Sequence, residues 1–140
     1  MKHFAALVAT FAFSLTASAA DLTAADTGTF VVLNPQKAPT DLHYRLSQNG
    51  GQWVMEGRQA NGAWTNISCE AACQYRPSMA ADIEVLFPPH WREQADMACI
   101  QNHAQAFCRY SPKGNAAAAS YVVVALVTGR PVPIFLRRVP

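Results

Sequence analysis

Ten residues, CIQNHAQAFC from Cys99 to Cys108, constrain this chain more than any other stretch. Folded as a symmetric hairpin centred between His103 and Ala104, they place Cys99 opposite Cys108, Ile100 opposite Phe107 and Met97 opposite Tyr110. With a two-residue loop the cysteines form a non-hydrogen-bonded pair, where side chains approach most closely. That approach suits the short Cβ separation of a disulfide. His-Ala is a poor pair for positive φ, so a four-residue loop from Asn102 to Gln105 is the competing geometry. The stretch therefore predicts a covalently clasped hairpin.

The other two cysteines, Cys69 and Cys73, are spaced C-x3-C. Neither pair shows the C-x-x-C spacing of redox centres. Zinc would want two closely spaced thiolate pairs, and C-x8-C is wrong for that. Two disulfides, Cys99–Cys108 and Cys69–Cys73, are expected. Crossed pairings replace them if residues 69–73 are helical, because i,i+4 Cβ atoms on a helix stand about 6 Å apart.

Disulfides imply an oxidising compartment, and the N-terminus agrees. Lys2 and His3 precede an apolar run over residues 4–15 and then Ala17-Ser18-Ala19, so residues 1–20 read as a secretory signal peptide. The run is short for a membrane span, and no cysteine follows it for lipid attachment. The expected location is periplasmic or secreted, with no stable membrane anchor after cleavage. Residues 21–28 read as a flexible lead-in and 29–140 as one domain. The 140-residue chain carries a formal charge of +2, and its positive residues are not clustered as a nucleic-acid groove requires.

Strand signals dominate. Residues 29–33 form a first strand closed by Asn34-Pro35. Residues 41–48 and 52–58 alternate polar and apolar around an Asn49-Gly50 turn, a strong hairpin signal. That turn sets Leu46 against Trp53, Tyr44 against Met55, His43 against Glu56 and Asp41 against Arg58. A second turn at residues 60–62, with Gly62 left-handed, pairs Met55 with Ile67 and Trp53 with Cys69. The inner face of the meander then carries Leu42, Tyr44, Leu46, Trp53, Met55, Ile67 and Cys69. Ser78 reads as the N-cap of a helix over residues 79–87 that buries Met79, Ile83, Leu86 and Phe87 and stops at Pro88-Pro89. A second helical turn runs from His90 to about Asp96. Residues 121–127 lack polar alternation and read as a strand buried on both faces. Residues 132–136, broken by Pro133, read as an edge strand. Residues 111–120 form a loop of small residues without chemistry. The expected fold class is α+β: a mostly antiparallel sheet of six to seven strands, one or two short helices packed on one face, and two disulfides.

No nucleophile elbow, S-x-x-K, glycine-rich phosphate loop or metal motif is present, so no catalytic residue, metal or cofactor is assigned. In PPHWRE, His90, Trp91 and Arg92 are the candidate binding residues, since Trp and Arg are enriched in interface hot spots. The plainer reading packs Trp91 into the core and leaves His90 as an exposed cap. His43 beside Glu56 reads first as a solvated cross-strand pair. The functional expectation is a non-catalytic binding module, with an inhibitor or immunity-type protein as one form of it, whose partner is another envelope or secreted protein. The alternatives are a small envelope hydrolase gathering His43, Glu56 and His90, and a structural envelope component docking by strand addition at 132–136.

Overall fold

The computed structural model describes residues 21–68 and 73–140; the expected signal peptide and Cys69 lie outside them. Nine antiparallel strands form one sheet: β1 (Gly28–Leu33), β2 (Pro39–Asn49), β3 (Gln52–Gln59), β4 (Thr65–Asn66), β5 (Arg76–Pro77), β6 (Ala95–Gln101), β7 (Gln105–Pro112), β8 (Ser120–Ala125) and β9 (Val132–Arg138). Their spatial order is β4-β3-β2-β1-β9-β8-β7-β6-β5. Two short helices, α1 (Ala80–Leu86) and α2 (Pro89–Gln94), precede β6.

The α+β expectation is corrected here. The molecule is mostly sheet, curled into a half-barrel, with only 14% helix. The curl explains the difference: the sheet supplies its own second layer. Leu46 and Met55 from β2 and β3 share one core with Phe30 of the adjacent β1 and with Ile100, Phe107, Tyr121 and Val123 from strands across the curl. Phe30 and Phe107 are fully buried and meet edge-on at 5.4 Å. Burial contributes roughly 1.5–3 kcal/mol for each such side chain, several times what a surface ion pair gives.

The helices cover β6 to β8 and reach Phe135 of β9. There Leu86, Phe87, Ile83 and Trp91 pack on Met97, Cys99, Cys108, Val122 and Val124. Neighbouring residues Ile100, Phe107 and Val123 point into the curl. Both faces of β8 are thus buried, which is why its sequence shows no alternation. Met79, expected on the buried helix face, is 72% exposed. Ser78 does not cap α1: its hydroxyl meets Gln101 Oε1 at 2.7 Å. Asp82 closes the helix start instead, accepting from the Met79 backbone N–H at 2.7 Å.

Cys99 faces Cys108, Ile100 faces Phe107 and Met97 faces Tyr110, as the sequence predicts. Asn102 N–H donates to Gln105 O at 3.0 Å, so the loop is the two-residue one. Asn102 makes His-Ala workable, because its Oδ1 accepts from Ala104 N–H at 2.9 Å and Gln105 N–H at 3.0 Å. This side-chain turn needs no positive φ. The Cys99 and Cys108 Cα atoms stand 4.2 Å apart, the narrow spacing of a non-hydrogen-bonded pair. Among the described residues this is the one disulfide, against the two expected; the proposed mate of Cys73 is Cys69.

The first hairpin forms with a shifted turn. Gly50 and Gly51, with φ of +59° and +82°, make the bend, so Leu46 pairs with Met55, Arg45 with Glu56 and His43 with Arg58. The displacement is two residues along β3, which leaves every side chain on its expected face. Two adjacent glycines outcompete Asn-Gly for a turn that needs both central residues left-handed. In the next turn the left-handed residue is Ala60 (φ +48°) rather than Gly62, yet Glu56 meets Asn66 in the register expected.

β9 is not an edge strand. It lies between β1 and β8. Its pairing to β1 covers only Leu136 to Arg138, so Pro133 sits where β8 alone is alongside. The donor that proline lacks has no ladder to serve on the other side there.

Residues 21–28, read as a flexible lead-in, carry a single 3-10 turn at Ala24–Asp26, capped by Thr23. Leu22 joins the inner core and Asp26 is 2% exposed. Asp26 accepts from Arg109 Nη1 at 2.7 Å, Tyr121 Oη at 2.9 Å and Thr23 N–H at 2.8 Å. Arg138 adds a bond to Tyr121 Oη and two to the Ala25 and Thr27 carbonyls. This network stops one end of the half-barrel. Toward the other end, Gln105 Nε2 donates to Tyr75 Oη at 2.7 Å and Ile67 O at 3.2 Å. Burial holds the Tyr75 and Tyr44 phenols above their ordinary values.

Candidate functional site

α2 owes its position to sequence on both sides. Pro88 and Pro89 end α1 and start the next helix, with Pro89 at its first position, where a missing N–H costs nothing. Its Trp91 then lies against the outer sheet face, near-parallel to Phe87 (5.5 Å, 20°) and Phe135 (5.7 Å, 27°) and tilted to Tyr110 (5.7 Å, 55°). Trp91 is therefore first a packing residue, held by rings from α1, β7 and β9. Arg92 turns away, donating from Nε to Phe87 O at 3.3 Å and standing 3.9 Å from Glu84. His90 is exposed. Of the three binding candidates, His90 and Trp91 share one groove of about 530 Å³, with Tyr110, Gln94, Ala118 and Ser120 also in its walls; Arg92 lines a separate groove with Ile83 and Lys113.

The hydrolase trio is not brought together. Arg45 takes Glu56, with Nε 2.9 Å and Nη2 2.8 Å from Oε2. His43 faces Arg58 instead. His90 belongs to α2, on the β6–β8 side, and shares its groove with neither residue.

A second surface was missed in the sequence. Register sets four outward residues opposite one another on adjacent strands: Arg58 on β3, His43 on β2, Val31 on β1 and Arg137 on β9. Beside this row, Trp64 stands under the Arg45 guanidinium at 4.4 Å and the Arg58 guanidinium at 4.5 Å. The indole takes both cations through its ring quadrupole. Among the described residues neither Arg58 nor Arg137 has a carboxylate partner. Arg58 Nε is buried without any hydrogen bond. Lys37 extends the charge, its ammonium 2.8 Å from the centre of the Phe135 ring, and partial desolvation lowers its pKa. Alternation does mark His43, Arg45 and Arg58 as outward. The two-residue register shift and the return of Trp64 had no local signal.

The Cys99–Cys108 disulfide is compatible with an oxidising, exported location. Among the described residues no helix is long and apolar enough to cross a membrane. No protein-family model, no curated protein and no solved structure matches this chain.

Proposed function

We propose that the protein is a small exported, non-catalytic binding module that engages an acidic surface on another envelope or secreted protein, as an inhibitor or immunity-type protein does. The observation that carries this reading is the Arg58–His43–Val31–Arg137 row. Strands stand about 4.8 Å apart, so the row spreads two uncompensated guanidiniums over three strand intervals of rigid sheet. Trp64 pins Arg58 in place, reducing the entropy lost when that side chain meets a carboxylate. Arg favours carboxylates because its planar fork donates two hydrogen bonds.

The test is capture from an envelope extract by the exported protein, then rebinding of the purified partner at rising salt. Capture of an acidic protein that weakens with salt is expected. The Arg58→Glu/Arg137→Glu double variant should lose it while melting at the wild-type temperature. Equal capture by that folded variant overturns the reading.

A further inference from the structure

The geometry points to the groove between α2 and the loop 113–119 as a binding site for an uncharged N-acetylated sugar. Its walls include His90, Trp91, Gln94, Tyr110, Ala118 and Ser120, and none of its lining residues is Lys, Arg, Asp or Glu. At about 530 Å³ it falls within the range of small-ligand clefts, about 300–1,000 Å³.

Ligand chemistry follows from what the walls leave open. Among the described residues, the side chains of His90, Gln94, Tyr110 and Ser120 and the indole N–H of Trp91 make no hydrogen bond to the protein, and none of these atoms is buried unsatisfied. Five residues with hydrogen-bonding side-chain groups not used by the protein therefore line one groove. A hydrocarbon ligand would strip water from them and return nothing, and each polar group left unpaired that way costs about 1–3 kcal/mol. An anionic or cationic ligand would lose its own hydration to a lining that holds no Lys, Arg, Asp or Glu. A ligand with apolar faces and neutral donors and acceptors loses neither.

A pyranose ring has that character: C–H faces for an aromatic wall and hydroxyls for amide, imidazole and hydroxyl partners. Trp91 is near-parallel to Phe87 and Phe135, so it gives the groove its edge and N–H. Tyr110, tilted 55° from it, gives the second aromatic wall. An acetamido group adds an amide for the polar groups and a methyl for Ala95, Pro112 and Ala118, the apolar part of the lining. The Cys99–Cys108 clasp braces the β6–β7 hairpin that presents Tyr110, so this wall is fixed before a ligand arrives.

The site does not rest on the acidic-partner reading, and one NMR titration separates the two. The isotopically labelled exported protein is titrated with chitotriose, and with trigalacturonate as an acidic sugar of similar size. Saturable shifts of the Trp91 indole and the Tyr110 ring by chitotriose, with Kd at or below about 1 mM, are expected. Ala118→Arg, which fills the groove from an exposed loop position, should weaken binding at least about tenfold while leaving capture of the acidic partner intact. Arg58→Glu/Arg137→Glu should leave chitotriose binding unchanged. The site is refuted if chitotriose gives no saturable shift, if Ala118→Arg binds it as the parent does, or if trigalacturonate shifts the Trp91 and Tyr110 signals at lower concentration than chitotriose.

Discussion

Arg109 Nη1 and Asp26 Oδ2 stand 2.7 Å apart, although 83 positions separate the two residues in the chain. The pair joins the N-terminal 3-10 turn to β7. Asp26 is almost wholly buried and Arg109 mostly so. Breaking a buried pair by removing one member costs about 3–5 kcal/mol. Asp26→Ala should lower unfolding stability by about 3 kcal/mol in a urea titration. Asp26→Asn, which keeps an acceptor for Thr23 and Tyr121, should lose less. Equal stability for Asp26→Ala and the parent would show that the turn does not brace the sheet.

The Arg45–Trp64–Arg58 stack should behave as two exposed cation–π contacts, each worth about 0.5–1 kcal/mol. Trp64→Ala is expected to cost about 1–2 kcal/mol by chemical denaturation. Arg45 should stay ordered, because Glu56 still holds it. Arg58 should become mobile, which side-chain guanidinium NMR signals report. A rigid Arg58 in Trp64→Ala would remove the indole as its anchor.

Asp82 is held at a pKa of about 2, below its usual 3.8, first by the hydrogen bonds of Arg76 and then by the Met79 backbone N–H. The pair is two-pronged, with Arg76 Nη1 to Oδ2 at 2.7 Å and Nη2 to Oδ1 at 3.0 Å. A folded-state pKa below the unfolded one means that the contribution is fully present above about pH 4. It fades as the pH falls toward 2. Carboxyl carbon NMR should give a midpoint near 2 for Asp82, moving up toward the ordinary range in Arg76→Ala. A midpoint unaffected by that substitution would assign the depression to the helix start alone.

Cys99→Ser/Cys108→Ser removes a clasp around a short loop. The chain-entropy model gives about 3 kcal/mol for a closure of that length. The variant should melt lower by a matching amount, with its β6–β7 amides exchanging faster than those of β2–β3. Uniform loss of protection across the sheet would show that the clasp stabilises the whole fold and not one hairpin.

Local chemistry was legible in the sequence. The Cys99–Cys108 register, the inward set Leu42, Tyr44, Leu46, Trp53, Met55 and Ile67, and the two short helices all follow from turns, alternation and proline stops. What could not be read was long-range pairing. Val31 meets Arg137, and nothing near either residue announces the other. The proline in β9 points to an edge strand, and only knowing that β1 ends alongside Leu136 shows why a proline is tolerated inside the sheet. The α+β expectation failed for the same reason. A sheet that curls onto itself needs no helical layer, and curvature leaves no mark on a hydrophobic pattern.

The candidate surfaces divide the same way. Trp91 as a packing aromatic beside a helix end was the plainer of two readings. Part of the groove wall is Ala118, from a run of four alanines that carries no chemistry in sequence and matters only through where it passes. Arg58 and Arg137 become neighbours of one row through three successive strand pairings, one of which, β1 to β9, joins distant segments.

Because β9 is the strand that links β1 to β8, the sheet exists as two unconnected sections, β1 to β4 and β5 to β8, until residues 132–138 arrive. Assembly of the whole sheet must therefore wait for β9, with no nucleus able to propagate across the missing rung. Each section taken alone would leave its half of the Phe30–Phe107 core uncovered.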